Sequence, residues 1–141
     1  DKAYIDLYFR IAQCLSYQNK HKEALKFYNE ILDKDYEVLF NIGYAYYKLN
    51  NIDKAIEYFT QTILINERCK EAYLNLSVCY MKQFSFDNAR KTILKGIKNI
   101  GMNKDFENTL LRIKERQVKY SEINIFIEND GSYRTNREVK A

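Results

Sequence analysis

The chain has 141 residues, of which 46% are hydrophobic and 30% charged, and its formal net charge is +4. This length suits one domain, and the lack of any apolar run of about 18 residues predicts no membrane span. Three cysteines, at positions 14, 69 and 79, lack metal-ligand spacing and leave an odd thiol. They favour a reducing compartment, the cytoplasm, over a disulfide framework.

The first predicted element is a helical hairpin over residues 5–35. Apolar residues recur at three- and four-residue spacing on both sides of a polar break, as in two amphipathic helices joined by a turn. The small residues Ala12 and Ala24 allow these helices to approach closely. The sole histidine, His21, lies in the turn, and we assign it a packing role because no second catalytic group converges on it.

Two further hairpins are predicted over residues 36–69 and 70–103, which align with each other at a shift of 34 residues. The first hairpin fits the same template but is three residues shorter at its end, so a tight turn into the second is expected. Asp53 and Asp87 are the predicted N-caps of the second helices. Cys14, Ala45 and Cys79 are repeat equivalents and are predicted to be small buried residues.

The end of the chain predicts one more helix and a tail of different character. After Gly101, a helix stop, a capping helix is expected over about 104–120. Its predicted apolar face comprises Phe106, Leu110, Ile113, Val118 and Tyr120. In residues 121–141, three isoleucines alternate with polar residues before a turn signal. This tail is predicted to be an extended strand or hairpin, or disordered, and we hypothesise that it occupies a groove and supports self-association.

The second hairpin carries the most specific motif, LxxIGxAY over residues 39–46 followed by AxxxF over residues 55–59. This pattern closely resembles the tetratricopeptide-repeat (TPR) family, and the resemblance covers residues 5–103. It implies an all-α fold, a right-handed α-solenoid of three hairpins and a capping helix within residues 1–120. The family's usual proline between repeats is absent, and Glu67 and Gly101 stand in its place.

The resemblance also implies a non-enzymatic module that binds a protein or peptide partner on a concave groove lined by the first helices. Asn41 and Asn75 are equivalent positions, and their carboxamides could pair with the backbone of an extended peptide, although asparagines that merely solvate the groove fit equally well. Ten residues are predicted to line this unusually apolar groove: Phe9, Gln13, Phe40, Asn41, Tyr44, Tyr47, Leu74, Asn75, Val78 and Met81.

The best-known ligand of the family is the acidic C-terminal tail of heat-shock chaperones, held by a clamp of two lysines, two asparagines and an arginine. The matching positions in this chain are Phe9, Gln13, Asn41, Glu71 and Asn75, and only Asn41 keeps the clamp residue. Because no cation remains to pair with a terminal carboxylate, we predict that the protein is not a heat-shock co-chaperone.

Other function classes find little support. No phosphate-binding loop, metal motif or paired-carboxylate signature appears, so no catalytic residue, metal or cofactor is predicted. The basic residues in 70–102 do not predict nucleic-acid binding, because no aromatic residues interleave with them. The alternatives to an adaptor are a secretion-type, client-sequestering chaperone and the targeting module of a larger enzyme. A client-sequestering chaperone should keep an insoluble partner in solution at fixed stoichiometry.

Overall fold

The computed structural model describes residues 1–130, which form seven helices and no strand. The helices are α1 (Lys2–Tyr17), α2 (His21–Asn29), α3 (Tyr36–Lys48), α4 (Ile52–Ile65), α5 (Lys70–Lys82), α6 (Phe86–Ile100) and α7 (Lys104–Asp130). The first six pair as three hairpins that stack in chain order, and α7 packs on the third. The predicted all-α repeat fold is confirmed. None of the helices within residues 1–130 is both long and apolar enough to cross a membrane.

Each hairpin turns at the same place in its repeat. A backbone N–H just after the turn donates to a carbonyl near the end of the first helix at 2.8–2.9 Å, which pairs Lys20 with Leu15, Asn51 with Tyr46 and Ser85 with Tyr80. The residue before each donor has a positive φ: Asn19, Asn50 and Phe84. Asparagine tolerates this conformation, but a bulky aromatic is strained there. The Phe84 ring stacks on Tyr120 of α7, with the ring centroids 4.9 Å apart, which helps to hold the third turn.

Small residues let the helices of each hairpin cross closely. Ala12, Ala24, Ala55, Ser77 and Ala89 are fully buried at these crossings. In the second hairpin a Cβ added to Gly43 would lie only 2.9 Å from the Phe59 ring, so the ring occupies that space. The apolar side chains form two cores, one between the first and second hairpins and one that continues from the second hairpin to α7.

The cysteines show how a missing neighbour changes burial. Ala45 and Cys79 are buried against the preceding hairpin, and burial raises the pKa of the Cys79 thiol to about 12. Cys14 is exposed. Since no helix precedes α1 in the described part of the chain, nothing there covers this face, and the prediction of a buried Cys14 is wrong.

The shortening of the first repeat falls in a helix rather than in the turn. Helix α2 has 9 residues whereas α4 has 14, and the connection to α3 takes residues 30–35. The predicted tight turn is therefore wrong. Buried Ile31 anchors this longer connection. The Tyr4 hydroxyl donates to the Glu30 carbonyl at 3.1 Å, and the Lys34 ammonium donates to the Ile31 carbonyl at 2.6 Å.

The second helices begin two residues earlier than predicted. Asn51, not Asp53, caps α4, because its Oδ1 accepts the Lys54 N–H at 3.3 Å. Ser85 occupies the corresponding position before α6, without a side-chain capping bond. Asp53 and Asp87 instead lie in the first turns of α4 and α6, where a carboxylate complements the positive end of the helix dipole.

Helix α7 confirms the predicted cap in its first half and overturns the predicted strand beyond it. Phe106 and Ile113 are fully buried, but Val118, predicted to be buried, is exposed. Residues 121–130 continue the helix, so an extended tail is wrong for them. The physical reason is that Ile123, Phe126 and Ile127 also have helical spacing. The rest of the predicted tail, residues 131–141, lies outside the described residues.

Candidate functional site

The predicted groove residues lie on α1, α3 and α5, the first helices of the three hairpins. Tyr44 is exposed, and eight others are partly exposed: Phe9, Gln13, Phe40, Asn41, Tyr47, Leu74, Asn75 and Val78. Met81 is only 3% exposed, because it packs in the core between the second and third hairpins. Including Met81 in the groove was therefore wrong.

Two lysines accompany the groove tyrosines. The Lys48 ammonium lies 5.9 Å from the centroid of the Tyr44 ring, and the Lys82 ammonium lies 5.2 Å from that of Tyr47. The Tyr44 and Tyr47 rings are themselves stacked, with centroids 6.4 Å apart. An ammonium over an aromatic face is attracted by the ring quadrupole. The surface of the groove therefore carries more positive charge than the unusually apolar groove that the sequence predicts.

The phenylalanines contribute to the core as well as to the groove. The Phe9 ring contacts Tyr28 of α2 at a centroid distance of 5.9 Å, and the Phe40 ring contacts Phe59 of α4 at 5.4 Å. Each of these phenylalanines is partly exposed. They therefore offer limited area to a ligand, and removing either one would also weaken the packing between first and second helices.

Helix α7 contributes to the third-repeat end of the groove, which the sequence did not indicate. Leu74, Asn75 and Val78 of α5 line a shallow pocket with four residues of α7: Asp105, Asn108, Thr109 and Arg112. The Lys70 ammonium binds the Asp105 carboxylate at 2.7 Å, which fixes the start of α7 beside α5. The capping helix thus supplies polar and charged groups to the surface that the repeats line.

The two groove asparagines differ in their hydrogen bonds. The Asn41 amide donates from Nδ2 to the Glu37 carbonyl of its own helix at 2.8 Å. Asn41 keeps its Oδ1 acceptor and one N–H for another partner. Asn75 lines the pocket beside α7. Pairing of both side chains with a peptide backbone stays a prediction.

A second pocket, of about 270 Å³, lies between the first two repeats and includes residues that sequence reasoning assigned to packing. His21 and Tyr28 of α2 line it, and so do Gln13, Asn41, Tyr44 and Lys48. Both His21 ring nitrogens and the Tyr28 hydroxyl oxygen are buried without a hydrogen-bond partner. Leaving a buried polar group unpaired costs about 1–3 kcal/mol.

The environment of this pocket disfavours charge on its own titratable groups. Burial, and then the charge of Lys48, lower the pKa of His21. Burial raises the pKa of the Tyr28 hydroxyl, and the Ser16 side chain, which lines the same pocket but does not meet hydrogen-bond geometry with this hydroxyl, partly opposes the shift. At neutral pH the imidazole is therefore uncharged, and it offers one donor and one acceptor.

Comparison with known proteins agrees with this architecture. Three sequence models described as tetratricopeptide repeat match residues 6–35, 36–69 and 70–99. A Plasmodium falciparum relative, an Hsp70-Hsp90 organising protein, is 23% identical over 129 residues, which cover 86% of this chain and 51% of the relative. The chain thus spans about half the length of that relative.

Two solved structures show the same fold. The second TPR domain of human RPAP3, in complex with the HSP70 peptide SGPTIEEVD, is 17% identical with a TM-score of 0.72, covering 80% of this chain and 97% of that domain. The Yersinia enterocolitica type III secretion chaperone SycD, in complex with a peptide of the translocator YopD, is 13% identical with a TM-score of 0.68, covering 84% of this chain and 93% of SycD. On its three matched repeats and their helical stack, the chain belongs to the tetratricopeptide-repeat family.

Proposed function

We propose that this chain is a non-enzymatic adaptor that binds a peptide segment of a partner protein in its concave groove. The observation that carries the proposal is the surface shared by α1, α3, α5 and α7, which combines partly exposed aromatic rings with lysines and asparagines. Aromatic residues surrounded by polar groups are typical of protein interaction sites. The three free thiols suit a reducing compartment such as the cytoplasm.

The relatives raise the heat-shock tail as a ligand, but the clamp positions of this chain argue against it. Phe9 packs on Tyr28 and offers no charge, and Glu71 is an exposed acid. The groove cations Lys48 and Lys82 occupy none of the five clamp positions, and each lies over a tyrosine ring. We therefore propose a ligand held by apolar and backbone contacts rather than by its terminal carboxylate.

The double variant Tyr44→Ala/Leu74→Ala should weaken peptide binding at least about tenfold. These side chains come from two different helices, and on the groove Tyr44 is exposed and Leu74 is partly exposed. Suitable peptides are selected from a display library against the intact protein, and their affinities are measured by isothermal titration calorimetry. A thermal melt shows whether the variant keeps its fold.

The matched control is Leu64→Ala, which removes an exposed leucine from α4, a second helix. The control should bind the selected peptides as tightly as the unaltered protein. If the double variant also binds normally, the peptides do not occupy the groove, and the proposed function is contradicted. The same calorimetry is also carried out with a peptide that ends in EEVD. Micromolar affinity for this peptide would contradict our exclusion of heat-shock tails.

The end of α7 suggests that the chain also binds a second copy of itself. Ile123, Ile125 and Phe126 are exposed on one helical segment. Residues 111–120 carry a formal charge of +3, whereas residues 121–130 carry −3. In an antiparallel pair of α7 helices each basic half would face an acidic half, so the two helices complement each other in charge. We propose this helix pair in place of the predicted strand in the groove.

Ile123→Lys/Phe126→Lys should abolish this self-association, because it places charges on the apolar surface and reduces the formal charge of residues 121–130 from −3 to −1. Sedimentation equilibrium is expected to show a dimer for the unaltered protein and a monomer for the variant. Raising the salt concentration should weaken the dimer by screening the paired charges. A monomer at every concentration for the unaltered protein contradicts the proposal.

Client sequestration is the second candidate function. The observation that favours it is the same apolar surface on α7, which could shield an apolar client segment.

A further inference from the structure

The pocket between the first two repeats, lined by His21, Tyr28 and Lys48, has the properties of a built polar site. His21 is 7% exposed and Tyr28 is 0% exposed. In the part of the chain that the structure describes, the buried side-chain nitrogen and oxygen atoms without a hydrogen-bond partner are the two His21 ring nitrogens and the Tyr28 hydroxyl oxygen. Native proteins pair nearly all such groups, so three unpaired atoms around one pocket point to a ligand.

The other repeats show that the fold does not require these polar groups. His21 is replaced by Ile52 in the second repeat and by Phe86 in the third. Tyr28 is replaced by Phe59 and Ile93, which are fully buried and apolar. Both polar groups therefore occur only in the first repeat. At the equivalent positions of the other repeats, apolar side chains are sufficient for packing.

The charges around the pocket indicate which kind of ligand it can bind. Lys48 is the one formally charged residue among those that line it, and no acidic residue does. The titratable groups that face the imidazole are Tyr17 from α1, Tyr28 from α2, and Tyr44 and Lys48 from α3. A cation, a phenol and an imidazole can all donate hydrogen bonds to one anionic group.

We propose that this pocket binds a carboxylate side chain, aspartate or glutamate, of the peptide that the groove holds. The inference rests on the proposed function and adds a residue preference to it. The carboxylate accepts hydrogen bonds from the Lys48 ammonium, the Tyr28 hydroxyl and an imidazole N–H. The Tyr44 ring, 6.2 Å from the His21 ring, covers the imidazole and is itself exposed, so rotation of its side chain opens the site.

Proton linkage gives the proposal a characteristic pH dependence. Burial and Lys48 lower the pKa of His21 in the empty protein, whereas a bound carboxylate favours the imidazolium and raises it. The complex therefore binds a proton more tightly than the empty protein does. As long as the glutamate, whose own pKa is about 4.3, stays ionised, affinity therefore falls as the pH rises through these two pKa values of His21.

The test uses alanine peptides blocked at both ends, one with a central glutamate and one with a central glutamine. The glutamate peptide should bind about tenfold more tightly near pH 5.5, and this preference should shrink near pH 8. Because His21 is the sole histidine, its ring resonances report its pKa directly by NMR. That pKa should rise with the glutamate peptide and stay unchanged with the glutamine peptide.

Two variants test whether the glutamate preference arises in this pocket, and both are expected to keep the fold. Tyr28→Phe and His21→Ile each introduce a residue that another repeat already carries at the equivalent position. Both should abolish the glutamate preference, yet leave the melting temperature of the free protein unchanged or higher, because each removes an unpaired buried group. An alanine peptide with a free C-terminus and no glutamate distinguishes a terminal carboxylate from a side chain.

Equal affinity for the glutamate and glutamine peptides, or a His21 pKa that neither peptide changes, overturns the carboxylate proposal. Failure of the glutamate peptide to bind at all overturns it as well. These outcomes do not contradict the adaptor proposal. That proposal is tested by the Tyr44→Ala/Leu74→Ala experiment, in which the library peptides need not contain an acidic residue. Tighter binding of the free C-terminus than of the glutamate side chain also contradicts the proposal.

Discussion

Phe106→Ala is expected to lower the free energy of unfolding by about 3–5 kcal/mol, as for other fully buried aromatic residues. The Phe106 ring, 0% exposed, packs edge-to-face on Tyr73 at a centroid distance of 6.2 Å. A Cβ added to Gly96 would lie 2.7 Å from the tip of this ring, so the ring is packed tightly against α6. Alanine removes these packing contacts and leaves a cavity in their place, and urea unfolding followed by circular dichroism measures the loss.

The same helix offers a matched control for this prediction. Phe126→Ala removes an identical side chain from a position that is 65% exposed. At a concentration where the protein is monomeric, this variant should change the stability by no more than about 0.5 kcal/mol. A loss below about 1 kcal/mol for Phe106→Ala would mean that α7 does not stabilise the third repeat.

The repeat architecture could be predicted from the sequence because each hairpin repeats the same packing requirement. The spacing of Gly43 and Phe59 in the second repeat is matched by Ser77 and Ile93 in the third, and all four are buried in the structure. Equivalent residues face equivalent neighbours, so one repeat predicts the next. Cys14 departs from this rule because its repeat has no preceding neighbour among the described helices.

The end of α7 could not be predicted as securely, because two periodicities overlap there. Ile123, Ile125 and Ile127 alternate as in a strand, whereas Ile123, Phe126 and Ile127 have the spacing of a helix. Local preference for β structure in isoleucine is weak against the continuation of a helix already formed. Residues 121–130 accordingly form the last part of α7.

The candidate site was predictable only in part. The sequence placed Tyr44 and Asn41 on the first helices, but it could not show that they share a pocket with His21 and Tyr28. Whether a buried polar atom finds a partner depends on the distances between helices, and spacing along the chain does not contain them. The clearest signal available was that His21 replaces apolar residues in the other repeats.

Tyr73→Phe is expected to lower the free energy of unfolding by about 1–3 kcal/mol. The fully buried Tyr73 side chain donates its hydroxyl to the Glu67 carbonyl at 2.8 Å, and the same oxygen accepts from Asn99 Nδ2 at 2.8 Å. The resemblance to the family places a proline in this connection, where its ring would restrict the backbone. In this chain the Tyr73 hydroxyl instead ties the connection between the second and third repeats to α5 and α6.

Phenylalanine fills nearly the same volume as tyrosine, so the loss of stability isolates the two hydrogen bonds. The control is Tyr58→Phe, since the Tyr58 ring stacks on Tyr46 at a centroid distance of 5.7 Å and its hydroxyl has no hydrogen-bond partner within residues 1–130. Chemical denaturation should show almost no change for this control. Amide hydrogen exchange should quicken in residues 66–72 of Tyr73→Phe alone, because the connection has lost its anchor. Unchanged exchange there would mean that the hydroxyl does not replace the missing proline.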